Sequence, residues 1–104
     1  MHITTTSFHS TILLFPVDEK AVRQALKGLK VWPLLTGYRG APPADIEALV
    51  AAVLALAAFV EAEQQRLVEL DINPLFVHAK GEAAGVSVVD ALIRFSPDHT
   101  APVE

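Results

Sequence analysis

The chain has 104 residues, with 12 acidic against 8 basic side chains and a formal charge of −4. That length suits one domain with a modest core, and no basic stripe of the kind nucleic acid requires is present. With no cysteine, disulfides, thiolate metal sites and thiol nucleophiles are excluded, which fits a cytoplasmic protein.

Met1–Ser10 is rich in threonine and serine and reads as a flexible lead-in or the start of a strand. It lacks the basic segment and apolar run of a secretory signal. Thr11–Phe15 (TILLF) is a short apolar strand stopped by Pro16. Asp18 is placed to cap a helix from about Glu19 to Leu29. In that helix Ala21, Val22, Ala25, Leu26 and Leu29 form one stripe, with Glu19, Lys20, Arg23, Gln24 and Lys27 outside it.

Trp32–Leu35 is an apolar connector, and Thr36–Pro43 (TGYRGAPP) is a loop, since its glycines and prolines rule out regular structure. A second helix is expected from Ala44 to Glu63. Ile46, Leu49, Val50, Val53, Leu54, Ala57 and Val60 make its main stripe, and the opposite side carries Ala48, Ala51, Ala52, Ala55 and Ala58. A helix apolar on nearly all sides is normally covered on more than one, so a second chain or domain is expected against it. The apolar run from Ala48 to Val60 is too short for a membrane span, which needs about 20 residues.

Arg66–Asp71 opens a closing hairpin. Asn73–Pro74 breaks its first strand, Leu75–Val77 continues it, Ala79–Gly85 turns, and Val86–Phe95 returns. The order strand, helix, loop, helix, strand, strand predicts an α+β fold: a small antiparallel sheet with two main helices packed on one face. The boundaries are a lead-in over 1–10, the folded unit over 11–96 and a loose tail over 97–104.

Strand alternation puts Glu69, Asp71 and Asn73 on one face, and Asp90 lies among Val88, Val89, Leu92 and Ile93. Oxygen groups converging from neighbouring strands suit a hard cation such as magnesium. The plainer reading is a solvated strand face, because Asn before Pro is a common turn initiator. An aspartate amid apolar residues needs a partner if buried, either Arg94 or an exposed face. Gly37-Tyr38-Arg39-Gly40 can present a guanidinium to phosphate or be a plain helix-connecting turn. His2, His9, His78 and His99 are scattered without ligand spacing, and no phosphate-binding glycine loop or nucleophile elbow is present.

LLTGYRGAPPADIEALV (Leu34–Val50), ELDINPLFV and VVDALIRF, in that order, closely resemble the ATP-grasp part of NDP-forming acyl-CoA synthetases. These include ADP-forming acetate–CoA ligases and, more distantly, succinyl-CoA synthetase β-subunits. The likeness covers about residues 11–96. It implies a C-terminal subdomain of an ATP-grasp fold, in which Asn73 and Asp90 bind the magnesium that bridges the phosphates of ATP or ADP. Asp71 would be a supporting acid acting through water, and Arg39 would face the phosphates.

The family's lysine-bearing subdomain, adenine hinge, CoA-binding domain and phosphohistidine region have no counterpart in the chain. The resemblance therefore implies a fragment of the enzyme, inactive alone, whose partners are the remaining ATP-grasp subdomain and the CoA-binding domains or subunits. Weak magnesium affinity is expected without them. The alternative is a non-catalytic relative that dimerises or binds a partner through the alanine-rich helix 44–63. Neither nucleic acid nor membrane is expected as a partner.

Overall fold

The computed structural model describes residues 1–4, 10–37, 40 and 42–97. The strands are β1 (His2–Thr4), β2 (Ser10–Ile12), β3 (Leu67–Ile72), β4 (Leu75–Val77), β5 (Val86–Val88) and β6 (Ala91–Phe95). The helices are α1 (Glu19–Lys27), α2 (Trp32–Leu35) and α3 (Ile46–Ala62). The expected α+β class with antiparallel pairing holds. The single sheet resolves into three two-stranded ladders, β1–β2, β3–β6 and β4–β5. At the amino end, His2–Thr4 takes the strand alternative and pairs with Ser10–Ile12.

Both long helices start where the sequence caps them. The Asp18 carboxylate accepts from the Ala21 N–H at 2.8 Å, and the Asp45 carboxylate accepts from the Ala48 N–H at 3.0 Å. Each satisfies an amide that the first turn leaves without an intrahelical partner. The segment Trp32–Leu35 is a helical turn rather than a plain connector. Pro33 near its start loses no hydrogen bond there.

The core lies where α1 and α3 meet the end of β2: Leu13, Val22, Leu26, Leu29, Leu49, Val50 and Val53 are buried together. All the α1 residues in this set come from the predicted stripe. Burying each such side chain contributes on the order of 1.5–3 kcal/mol. Outside the core, Arg23 fastens α1 to α3. Its guanidinium donates to both oxygens of Glu47, at 2.9 and 2.7 Å, and to Glu19 one turn back on its own helix. These bonds hold the Glu47 carboxyl below its ordinary range and the Arg23 guanidinium above its own.

The alanine-rich side of α3 divides in two. Ala48 lies under the β4–β5 turn, whereas Ala51, Ala55 and Ala58 are exposed. The covering residue is Gly85. It is buried, has φ of +67°, and an added Cβ there would lie 2.8 Å from the Ala48 Cβ. Glycine is required twice over, for a left-handed backbone and for close approach to the helix.

Candidate functional site

β3–β6 and β4–β5 form one interrupted hairpin. The pairing Glu69↔Arg94, Asp71↔Leu92 and Ile72↔Ala91 continues in the same register to Leu75↔Val88 and Val77↔Val86. Across the interruption, the Asn73 N–H donates to the Asp90 carbonyl and the Val89 N–H to the Pro74 carbonyl, both at 3.1 Å. Pro74 has no N–H to give, so it is tolerated where only its carbonyl is used. The peptide bond before it is cis.

Register decides what shares a face. Directly opposed residues of an antiparallel pair point the same way, with Cβ atoms about 5 Å apart. Asn73 and Asp90 are therefore cross-strand neighbours, with Asp71 and Leu92 next along the same face and Glu69 and Arg94 beyond. At the turn end, Leu75, Val77 and Val86 of this face pack against the core. The polar residues begin beyond this packed end, so Asn73 and Asp90 stand on an exposed ledge beside it.

The three oxygen-bearing groups are all exposed. One Asp90 oxygen accepts from the Ala91 N–H at 2.9 Å. Its other oxygen, the Asn73 amide and the Asp71 carboxylate have no hydrogen-bond partner among the described residues. Exposure, not pairing with Arg94, accounts for Asp90 in its apolar surroundings. Arg94 instead reaches across to Glu69, at 3.2 Å, which commits Glu69 to a strand-face ion pair. Arg39 lies outside the described residues.

Such a donor set fits a hard cation: oxygen ligands only, accessible and largely uncommitted. It is also incomplete. Among the described residues, no three His, Cys, Asp or Glu side chains are gathered to hold a metal. The three exposed groups are two carboxylates and one amide. Two carboxylates are within what magnesium takes from protein when substrate phosphates supply the rest. A shallow concavity of about 460 Å³ lies elsewhere, along the exposed side of α1 from Glu19 to Lys27.

The other polar pair in the hairpin is His78 with Ser87, 2.6 Å apart and half-buried. The His78 carbonyl accepts from the Asp45 N–H and its own N–H donates to the Gly85 carbonyl, so the residue ties the turn to the start of α3. The sequence gives no sign of this role.

A family model described as an ATP-grasp domain matches residues 5–95. The chain belongs to the ATP-grasp family. The match begins somewhat before the boundary at residue 11 expected from the motifs. Over 83 residues the chain is 42% identical to the β subunit of the ADP-forming acetate–CoA ligase II of Pyrococcus furiosus, covering 80% of this chain and 34% of the relative. A crystal structure from Pyrococcus horikoshii Ot3 superposes with a TM-score of 0.76 at 36% identity, covering 85% of this chain and 36% of that one. The dinucleotide-forming acetyl-coenzyme A synthetase 1 of Ca. Korarchaeum cryptofilum, solved with coenzyme A and Mg-AMPPCP, matches with a TM-score of 0.69 at 35% identity, covering 80% of this chain and 37% of that one. The similarity is to one part of an ATP-grasp domain of ADP-forming CoA ligases, and the chain spans about a third of the length of these relatives. No described helix is long and apolar enough to cross a membrane.

Proposed function

We propose that this ATP-grasp chain supplies the magnesium–nucleotide side of an ADP-forming acyl-CoA synthetase. In this reading Asn73 and Asp90 are direct metal ligands and Asp71 supports them through water. The observation that carries it is the cross-strand pairing of Asn73 with Asp90 on an exposed ledge, with their side-chain oxygens largely uncommitted. Magnesium held there would bridge nucleotide phosphates and neutralise their charge for phosphoryl transfer. The residues of this chain hold and orient that metal. The adenine pocket, the coenzyme A site and the phosphate-side cations come from the rest of the enzyme, with Arg39 as this chain's own candidate on the phosphate side. A cytoplasmic setting, where nucleotide and coenzyme A are at hand, goes with this activity.

The test is a titration of the isotope-labelled chain with MgCl₂, alone and with ADP, followed by amide NMR. The Asn73 and Ala91 amides are the reporters, because one donates to the Asp90 backbone and the other to its carboxylate. Their shifts should move together, with weak affinity, and not move in Asp90→Asn. In a full-length enzyme carrying the chain, Asn73→Ala or Asp90→Asn should abolish acyl-CoA-dependent ATP formation; near-normal turnover would sink the proposal.

A second reading is favoured by one observation, the exposure of Ala51, Ala55 and Ala58 on α3: the chain pairs with a copy of itself through this helix. Sedimentation of a clean monomer at high concentration rejects it.

A further inference from the structure

The two faces of the long hairpin are chemically different. The ledge face carries Asn73, Asp71 and Asp90. By the same register, the reverse face carries Leu70 and Ile93, Ile72 and Ala91, Pro74 and Val89, and Phe76 beside Ser87. Nearly all of these are apolar. Phe76 is 52% exposed, Val89 65% and Ile93 48%, so this surface runs along both halves of the hairpin without a cover. Two strands alone are marginally stable in water, and an apolar face is normally packed against a further layer.

We propose that this reverse face, centred on Phe76, Val89 and Ile93, is the seat of the ATP-grasp segment that the longer relatives carry outside the matched stretch. Asn73 and Asp90 are then left open on the other side. The inference rests on reading the chain as one part of an ATP-grasp module, and it assigns which side of the hairpin is interface and which is site.

Two arguments select this occupant. The face carries no Asp, Glu, Lys or Arg, and its Ser87 hydroxyl is already engaged by His78 at 2.6 Å, so a phosphate, a nucleotide or any other anionic ligand finds no cationic partner there and would lose its hydration with little return. It is also narrow, two strands wide with Phe76, Val89 and Ile93 at its centre, whereas a stable dimer buries about 800 Å² per partner. A second copy of the chain held by this face alone would therefore dissociate. A segment belonging to the same domain avoids most of the entropy cost of association and can be held by so narrow a patch. The relatives are about three times as long as the part matched here, which leaves ample chain to supply it.

The experiment compares the free chain with the Pyrococcus furiosus β subunit carrying the chain in place of its own matching stretch. Val89→Cys introduces a single thiol into a chain that has none. Its alkylation by iodoacetamide is read at that peptide by mass spectrometry. In the free chain the thiol should react at the rate of an exposed cysteine, and in the chimeric subunit at least about tenfold more slowly, as expected of a site opened only by local unfolding. Phe76→Lys and Ile93→Lys should lower the melting temperature of the chimera more than that of the free chain.

Asp90→Asn should leave protection intact and remove magnesium–nucleotide binding, so failure of the site and failure of the interface are read separately. Equal reactivity of Val89→Cys in both settings overturns the inference. So does protection already present in a free chain that sediments as a dimer, which would make a second copy the occupant.

Discussion

Replacing Gly85 with alanine tests how the hairpin is seated on α3. Two costs add. The residue has φ of +67°, and a left-handed backbone costs a residue with a Cβ about 1–2 kcal/mol. The new Cβ would also meet the Ala48 Cβ at 2.8 Å, closer than such carbons approach, with an Asp45 carboxylate oxygen at 3.6 Å behind it. Ala48 is fixed on the first turn of a helix and has no rotamer to yield, so the hairpin must lift, at the 1–3 kcal/mol typical of overpacking. The expected loss is therefore about 2–5 kcal/mol, a large share of the 5–15 kcal/mol that stabilises a domain. Urea unfolding followed by circular dichroism measures it as a lower midpoint at unchanged slope. Ala48→Gly in the Gly85→Ala background removes the contact but not the backbone strain, so it should recover part of the loss and no more. A loss below about 0.5 kcal/mol, the range of an ordinary surface substitution, would refute the reasoning.

Other consequences can be measured on the same chain. Leu26→Ala, at a side chain only 1% exposed, should cost about 2–5 kcal/mol in urea unfolding, whereas Leu92→Ala, about half exposed on the ledge face, should cost under about 1 kcal/mol. Hydrogen bonds from Arg23 hold the Glu47 carboxyl below its ordinary range. The stability from that pair is therefore present above the ordinary carboxylate pKa and is lost as pH falls through the lowered folded value. Glu47→Gln should flatten this acid limb, so the drop in urea midpoint between neutral and strongly acid pH should be smaller than in the parent chain. Equal drops would reject the clamp. Asp90→Asn, at an exposed side chain, should leave the urea midpoint within about 0.5 kcal/mol while removing the magnesium response of the Ala91 amide.

Much of the helical layer was legible in the sequence because its signals are local. Asp18 marks the start of α1, and the α1 stripe that repeats at helical spacing supplies the residues that reach the core, whereas α3 starts two residues later than the expected Ala44, with Asp45 as its cap. The break at Asn73–Pro74 and the turn before Val86 were legible for a similar reason, since proline withdraws a donor and the turn residues lack strand preference. What could not be read was set by approach between distant segments. Nothing near Gly85 says that it will meet Ala48, and nothing near Glu69 says that it will take Arg94 and leave Asp90 exposed. The helix at Trp32–Leu35 was missed because four apolar residues carry no usable period.

The candidate site shows how far register alone can carry a functional argument. By strand alternation alone, Glu69, Asp71 and Asn73 are equivalent members of one face and Asp90 belongs to another segment; it is the family resemblance that singles out Asn73 and Asp90. Pairing sorts all four. Asn73 and Asp90 face one another at the interruption, Asp71 lies two residues along opposite an apolar leucine, and Glu69 is committed to Arg94. In the proposed reading, a cation drawn to this face by its carboxylates is held at the Asn73–Asp90 end, where the two residues oppose one another and their oxygens are largely uncommitted. That end is also fixed in place, because the strands beside it are anchored to α3 through Gly85, His78 and the packed Leu75, Val77 and Val86. The outer end is tied to the other end of α3, through the Leu67 N–H on the Glu63 carbonyl and Arg66 over the Phe95 ring. If the seating of Gly85 on Ala48 positions the ligands, a lifted turn must weaken magnesium binding even though Gly85 touches no ligand. Gly85→Ala should then shrink the Asn73 and Ala91 responses to magnesium under conditions where the variant is still folded. An unchanged titration would show that the ledge keeps its geometry without the turn.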